Sequence, residues 1–370
     1  MNFEFSEEQN LLREQTRGFL AEHCPMSRVR SILEADDKHD TELWGKIAEM
    51  GWTATVIPEE YGGLGLSYLE LVVIAEELGR AVAPVPFSSS VYLATEALLA
   101  AGNEQQKESW LDKLATGEVI GTFALSEAHG QPTADNLTAT VDDGKLSGTK
   151  IPVADAQAAD IAVIAAKSGT DVGLYLVELD QAGVTREDVR TLDFTRGHAR
   201  VSFDAANAEA LDGGASDWGV IERLLDRAAV LYAWEQVGGA EAALEQAKEY
   251  AMGRYAFGRP IASYQAIKHK LAQMYVNNTL ARSNCYWGAA ALNSGSGELT
   301  QAAATCRVSA TQAYYYAAKE NIQTHGGMGY TWEFDCQFFY RRAKLLSVNI
   351  GSERHWQDRL ITAVVNSKAA

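Results

Sequence analysis

One stretch constrains the chain most: Gln323 to Lys344, QTHGGMGYTWEFDCQFFYRRAK. It closes a long alanine-rich helical run with Gly326-Gly327-Met328-Gly329. Three glycines in four residues break a helix and let the backbone approach another object closely. An aromatic cluster follows (Tyr330, Trp332, Phe334, Phe338, Phe339, Tyr340), and then the basic patch Arg341-Arg342-Ala343-Lys344. On local grounds this is an interhelical turn with a core-packing helix behind it.

The rest of the chain falls into three textures. Residues 6 to about 118 read as helical, opened by a capping box of Ser6 with Gln9 three residues on. Leu12, Phe19 and Leu20 can share a face. Gly62-Gly63-Leu64-Gly65 interrupts the pattern before a helix containing Leu69, Val72, Val73 and Leu78. That glycine cluster could cradle a phosphate, but no lysine follows it, so a plain loop is expected. Near Val119 the period becomes two, with Leu137, Ala139 and Val141 alternating with polar residues. Asp143-Gly144 marks a hairpin, and Ile161–Ala165, Leu174–Val177 and Val201 with Phe203 mark further strands. From Asp217 the spacing is helical again: Leu224, Ala228, Leu231 and Glu235, then Ile267, Leu271 and Met274. Ala302, Cys306, Ala310, Ala313 and Ala317 form a stripe of small residues, which lets helices approach closely in a bundle or a subunit interface. The expected domains are 1–118 (helical), 119–215 (β) and 216–370 (a helical bundle), an α+β chain with a frayed tail at Ser367–Ala370.

A formal net charge of −17 argues against nucleic acid or an anionic membrane as the main partner. An anionic cofactor in a local basic pocket is still allowed. The acidic N-terminus has no signal-peptide pattern, and no apolar run is long enough to span a membrane. Cys24, Cys285, Cys306 and Cys336 are widely spaced and form no CxxC, which suits free thiols in the cytoplasm. No HExxH, GxSxG, P-loop or GxGxxG occurs, and the seven histidines do not cluster, so no metal site is expected.

QTHGGMGYTWE followed by YRRAK resembles the C-terminal signature of acyl-CoA dehydrogenases, QxxGGxGxxxE followed by xRDAK. Arg254-Tyr255-Ala256-Phe257-Gly258-Arg259-Pro260-Ile261 with Gln265 is similar to the family's RxxFGxxI…Q motif. Pro58 to Gly65 is similar to its PEEYGGLG, and Phe5-Ser6-Glu7-Glu8-Gln9 to its opening. Four motifs in the right order make the signal strong. The resemblance implies a helical N-terminal domain, a β-barrel-like middle domain and a C-terminal four-helix bundle. It also implies FAD, an acyl-CoA substrate and an acceptor such as electron-transfer flavoprotein. It assigns Arg254, Phe257, Gln265, Gln323, Gly326 and Gly327 to the adenine and pyrophosphate end of FAD, reaching a flavin held by a neighbouring subunit. Arginine suits a pyrophosphate because its donors are forked and permanently charged.

The flavin-ring end departs from the family. Its TEPxxGSD segment reads Ser126-Glu127-Ala128-His129-Gly130-Gln131-Pro132-Thr133 here. Ser126 can replace the threonine hydroxyl, but Pro132 has neither hydroxyl nor amide donor. The family's WIT reads Pro152-Val153-Ala154. The glutamate that takes the substrate's α-proton falls on Ile350, which cannot take a proton. The alternative position of that base falls on Ala228, followed by Ala229. Glu353 is the nearest carboxylate in sequence, and an exposed helix-start glutamate is its plainer reading. The pattern resembles heteromeric acyl-CoA dehydrogenases of bacterial steroid side-chain breakdown, in which two unlike subunits form a heterotetramer. The segments Lys150–Ala156 and Leu192–Arg196 are similar to that branch. The expectation is a subunit that introduces a 2,3 double bond into an acyl-CoA. A non-redox acyl-CoA lyase and a flavin-free structural subunit are the rivals.

Overall fold

Ser6 opens the first helix as its sequence predicts. Its Oγ accepts the Gln9 N–H at 3.2 Å, and Gln9 Oε1 accepts the Ser6 N–H at 3.0 Å. The computed structural model describes residues 5–35, 39–127, 130–213 and 217–369, the last three of these without side chains. The tail expected to fray, Ser367–Ala370, therefore lies outside the described side chains. In chain order the helices are α1 (Glu7–His23), α2 (Met26–Glu34), α3 (Thr41–Glu49), α4 (Tyr68–Arg80), α5 (Glu96–Ala101) and α6 (Glu104–Ala115). After the strands come α7 (Trp218–Gly253), α8 (Gln265–Ser294), α9 (Leu299–His325), α10 (Cys336–Leu346) and α11 (Glu353–Ala369). The strands are β1 (Gly121–Ala124), β2 (Thr140–Asp142), β3 (Lys145–Ala154), β4 (Ile161–Ser168) and β5 (Asp171–Glu178). Then follow β6 (Val184–Asp188), β7 (His198–Asn207), β8 (Glu209–Ala210), β9 (Tyr255–Ala256) and β10 (Arg259–Pro260).

The chain divides into two compact units. One takes Met1–Val29, Tyr68–Ala83 and Ala229–Ala370. Its helices are locked by two devices. The first is a reciprocal glycine contact between α4 and α7. A Cβ at Gly79 would overlap the Glu235 carbonyl, and a Cβ at Gly238 would overlap the Glu76 carbonyl. The second is a chain of ion pairs across four helices. Arg13 on α1 and Arg282 on α8 both pair with Glu76 on α4, at 3.2 and 2.6 Å, and Arg282 pairs with Glu241 on α7 at 2.9 Å. Arg80 bridges Glu245 and Glu77, and Arg17 pairs with Glu77 at 2.7 Å. Glu76 and Glu77 are almost fully buried, so removing one cationic partner leaves an uncompensated buried charge.

Ala302, Cys306, Ala310, Ala313 and Ala317 are all buried within this one chain. Of the two readings of the stripe, the helical bundle is therefore the one realised. Cys306 Sγ would lie 3.0 Å from a Cβ at Gly288 on α8, so small residues on both helices set the spacing. On α7, Leu224, Ala228, Leu231 and Glu235 are buried, as their periodicity predicts.

The other unit takes Arg30–Ser67 and Pro84–Ala228. Its mixed eight-stranded sheet has the order β6-β7-β3-β2-β4-β5-β8, with β1 parallel to β4. Asp143 and Gly144 form the β2–β3 turn with φ of 45° and 70°, the doubly left-handed hairpin the dipeptide predicts. The strands expected at 161–165, 174–177 and 201–203 are β4, β5 and β7. The run 50–67 is not the helix that the broad helical texture implied, apart from one 3-10 turn at Glu59–Tyr61. Its glycine loop donates inward: Gly62, Gly63, Leu64 and Gly65 give their N–H groups to Glu59, Pro58, Ala54 and Ile57 carbonyls. With those donors used, the loop has no phosphate cradle, and the plain-loop expectation holds.

A buried π-helix at Ser88–Thr95 is the element that the sequence did not announce. Its serines meet a buried ion pair. Arg196 Nη2 reaches Asp155 Oδ2 at 2.6 Å and Ser88 Oγ at 2.7 Å, and Ser89 Oγ donates to the same carboxylate at 2.5 Å.

Ala313→Leu adds three carbons to the tightest face of α9. It should cost about 1–3 kcal/mol by overpacking, read as a lowered midpoint in thermal or denaturant unfolding, while Ala313→Gly should leave the packing unstrained.

Candidate functional site

The glycine turn is shaped by different demands on each glycine. Gly326 caps α9 by donating its N–H to the Gln323 carbonyl, at φ 61° and ψ −139°, a region that side chains other than glycine's do not tolerate. A Cβ at Gly329 would strike the Ile322 carbonyl. Gly327 has nothing within 4 Å of where a Cβ would lie. Its backbone therefore faces open space.

Behind the turn, buried His325 donates its Nδ1–H to the Asn321 carbonyl at 2.9 Å. Its ring stacks on Tyr250 at 4.1 Å and meets the edge of Phe334 at 5.8 Å. Burial pushes the imidazole pKa below its usual value, so the ring is held neutral. The aromatic cluster splits. Phe338 and Phe339 are buried in the core, while Tyr330 and Trp332 are exposed. The basic patch splits too. Arg342 is buried against Glu235 at 3.4 Å and the Val82 and Ala83 carbonyls, whereas Lys344 lies 3.7 Å over the Tyr315 ring.

Tyr250 ties this turn to a second feature. One helical turn later Arg254 leaves α7, its N–H bonded to the Tyr250 carbonyl at 2.8 Å. Arg254 and Gly326 thus sit at the same end of the α7–α9 pair. The chain then makes the β9–β10 hairpin, pairing Ala256 with Arg259. Phe257 and Gly258 form its tip at φ 52° and 79°. Phe257 is 98% exposed. A left-handed aromatic residue is costly. The hairpin is nonetheless firmly held: Tyr264 donates its hydroxyl to the Ala256 carbonyl at 2.9 Å, and the Arg259 guanidinium lies 4.0 Å over the Tyr264 ring. Arg254, Gln265 and Gln323 are exposed, and their side chains have no hydrogen bond or ion pair among the described residues. Arg254 is therefore not the surface ion-pair residue that its local sequence would suggest.

The loop between α10 and α11 carries Ile350, which is buried at 7% exposure. Buried Arg307 on α9 anchors that loop. Its Nη2 donates to the Leu346 carbonyl and, at 3.0 Å, to Asn349 Oδ1, and its Nη1 donates to Gln236 Oε1 at 2.7 Å. Glu353, half-buried at the start of α11, accepts the side-chain amides of Gln312 at 2.7 Å and Gln357 at 2.9 Å. Ala228 and Ala229 are fully buried. Arg307, Tyr250 and His325 escaped the sequence reading. Arg307 left a trace there, a lone charge in register with buried Ala303 and Ala310.

In the sheet-bearing unit, Ser126 is half-buried and its carbonyl accepts the Ile151 N–H at 2.8 Å. Glu127 next to it is a hub. It takes Lys150 Nζ at 2.6 Å, the Thr138 hydroxyl at 2.6 Å and the Ala139 N–H at 3.0 Å. Burial works to raise the Glu127 pKa, but these donors overcome it and hold the carboxyl below its usual range. Ala128 and His129 lie outside the described residues. Pro132 and Pro152 bring no polar side chain, and the Ala154 carbonyl is taken by Thr122 Oγ1 at 2.6 Å. The scaffold of a ring-binding segment is thus present without the aromatic and hydroxyl groups such a segment uses. Among the described residues, no group of histidine, cysteine and carboxylate side chains could hold a metal ion.

Comparison with known proteins decides the family. Residues 6–118 match the acyl-CoA dehydrogenase N-terminal domain, and residues 217–363 match the acyl-CoA dehydrogenase C-terminal domain. Acyl-CoA dehydrogenase IpdE2 of Mycobacterium tuberculosis is 33% identical, with 98% of each chain covered. The chain belongs to the acyl-CoA dehydrogenase family. The rat mitochondrial short-chain specific acyl-CoA dehydrogenase is 28% identical over 94% of this chain and 88% of that protein. The solved structure of the Tcur3481-Tcur3483 steroid ACAD G363A variant superposes with a TM-score of 0.88 at 27% identity, covering 98% of this chain and 99% of that one. Acyl-CoA dehydrogenases bind FAD and are flavoprotein oxidoreductases. The outward half of this chain's site fits such a group, since Arg254, Gln265 and Gln323 are unpaired and Gly327 is open. The inward half, at Pro132, Pro152 and Ala154, does not offer the ring its usual contacts.

The buried histidines set the acid limit of this acyl-CoA dehydrogenase. Burial lowers the pKa of both His325 and His198, so the stability of their neutral forms is complete above the ordinary value of 6.5 and is lost as pH falls toward the folded values. Glu127 and Asp155 are held low despite burial, so their contribution is complete above ordinary carboxyl values of 4.5 and 3.8 and is lost below them. Melting temperature should be flat above about pH 6.5, decline to about pH 5, and fall more steeply below about pH 4.5. A midpoint independent of pH from 7 to 5 would show the histidines to be solvated.

Proposed function

We propose that this chain is a subunit of an FAD-dependent acyl-CoA dehydrogenase that introduces a 2,3 double bond into an acyl-CoA, with a homologous partner chain supplying the catalytic base. The observation that carries the reading is a contrast within one chain. Arg254, Phe257, Gln265, Gln323, Gly326 and Gly327 present charge, an aromatic face, amides and bare backbone outward. The position of the base is a buried isoleucine.

In this reading Arg254 holds the pyrophosphate of FAD through charge-assisted hydrogen bonds. Gln265 and Gln323 hold ribose or adenine edges, Phe257 packs on the flat end, and Gly326 and Gly327 let the backbone come close. The flavin so held lies on the partner, and Ser126 is what remains of a ring contact on this chain. FAD, when bound, supplies the hydride acceptor for the β-carbon. The proton on the α-carbon needs a carboxylate within hydrogen-bond reach. Ile350, Ala228 and Ala229 offer none, and Glu353 is engaged by two amide donors. The partner therefore carries the working carboxylate.

The steroid ACAD named for two components, Tcur3481-Tcur3483, supports a bulky steroid side-chain CoA as substrate and a heterotetramer as the assembly. Electron-transfer flavoprotein is the acceptor in this reading, and the cytoplasm the location. No helix among the described residues is long and apolar enough to cross a membrane. The working domains are residues 1–118, 119–215 and 216–370.

Two outcomes follow. Arg254→Ala should lose a charge-assisted contact worth about 1.5–3 kcal/mol, seen as weaker flavin retention in the purified assembly. Unchanged flavin affinity with an intact fold would remove Arg254 from the site. The chain purified alone should show almost no acceptor-linked turnover and less than one FAD per chain, and Glu353→Ala should leave the complex active. Full turnover of the lone chain with one FAD per chain would defeat the heteromeric reading. Flavin that stays oxidised when the complex meets its acyl-CoA would point to a non-redox reaction.

A further inference from the structure

Helices α5 and α7 carry matching stripes. Glu96, Leu99 and Ala100 recur at helical spacing on α5, and Val220, Arg223, Leu224 and Arg227 do so on α7. Between them lies a groove of about 360 Å³. That volume falls at the lower end of ligand pockets, roughly 300–1,000 Å³. It suits a small amphiphile and is too small for a whole CoA thioester. Leu99, Val220 and Leu224 make it apolar, with Val220 and Leu224 almost fully buried.

Charge is distributed unevenly along the groove. Arg227 Nε donates to Glu96 Oε2 at 2.7 Å, and the Glu96 side chain is 1% exposed, so this pair is neutralised and dry. Arg223, one helical turn earlier, is exposed and has no ion pair or hydrogen bond among the described residues. Its near carboxylate, Asp217, lies beyond ion-pair distance on the other side of Gly219 and already accepts the Val220 N–H at 3.1 Å. The groove therefore holds two arginines against one glutamate, a local positive site in a chain of net charge −17.

We infer that this groove binds an amphipathic monocarboxylate, with its carboxylate on Arg223 and its hydrocarbon over Leu99, Val220 and Leu224. A guanidinium with free donors prefers a carboxylate to a neutral hydroxyl, because the hydrogen bond is charge-assisted and can be bidentate. A medium-chain acid is the simplest member of the class. Thioester hydrolysis would supply it beside an acyl-CoA, and that last link alone rests on the proposed function. All the residues of the groove lie away from Arg254 and Ile350 in sequence and belong to the other unit, so flavin content does not enter the test.

Calorimetric titration of the purified chain with octanoate should show one site per chain, with 1-octanol binding at least about tenfold more weakly. Arg223→Gln should bring octanoate down to the octanol level with an unchanged circular dichroism spectrum. Ala100→Trp, which fills the groove from its exposed edge, should abolish binding of both probes. Equal affinity for octanoate and octanol would overturn the proposal. So would octanoate affinity that survives either substitution, or no octanoate binding at millimolar concentration. Arg254→Ala should bind octanoate as the unaltered chain does, and loss of binding there would place the probe in the flavin-linked site instead.

Discussion

The helical unit depends on how closely α4 and α7 approach. Gly79 faces the Glu235 carbonyl and Gly238 faces the Glu76 carbonyl, so each glycine makes room for the other helix's backbone. A methyl group at either position would have to separate the helices, because the opposing atoms are main chain and cannot rotate away. That approach places Glu76, which would otherwise be an expensive buried charge, where Arg13 and Arg282 can both reach it. It also fixes the remainder of α7. Gln236 meets Arg307, Glu235 meets Arg342, and at the far end Tyr250 stacks on His325. Both halves of the outward site hang from that helix.

Arg307 shows why the loop at Ile350 can keep its shape without its usual chemistry. It is buried without a carboxylate partner, and burial pushes its pKa down to about 10, which still leaves it charged at neutral pH. Its donors go instead to a helix-end carbonyl, an asparagine and a glutamine. The C-terminal carbonyls of a helix carry partial negative charge, so the end of α10 serves as part of the counterion. This arrangement fixes Leu346 and Asn349 whatever residue stands at 350. An isoleucine there loses the base and leaves the fold untouched.

Much of the architecture was legible because local signals agreed with the global one. The Ser6 capping box, the Asp143-Gly144 turn, the alternation in β4 and β7 and the alanine stripe each have a single geometric meaning. The π-helix at Ser88–Thr95 was not legible, because a run of serines reads as surface until Asp155 and Arg196, far away in sequence, supply buried partners for it. The aromatic cluster after the glycine turn was legible as a group but not in its division, since Phe338 and Trp332 differ only in which way α10 and the turn before it point. Phe257 could not be placed by propensity at all, because phenylalanine is an improbable residue for the left-handed tip of a hairpin. Only the motif around it drew attention there. Arg307 was hidden by the convention that an arginine belongs outside.

The two halves of the site are maintained by different forces, and this difference bears on assembly. Glu127 and Lys150 form a buried pair that holds β3 to the segment before it, so the fold itself has reason to keep them even if no ring is ever bound. The outward half has no such internal reason. Phe257 keeps a costly backbone conformation and exposes nearly its whole side chain, with nothing inside the chain to offset either cost. Arg254, Gln265 and Gln323 likewise contribute nothing to the chain's own hydrogen bonding. A strained, rigid hairpin with an unsatisfied arginine at its base is stabilised only when something outside the chain meets it, so the complete site has to be sought in an assembly and not in the isolated fold.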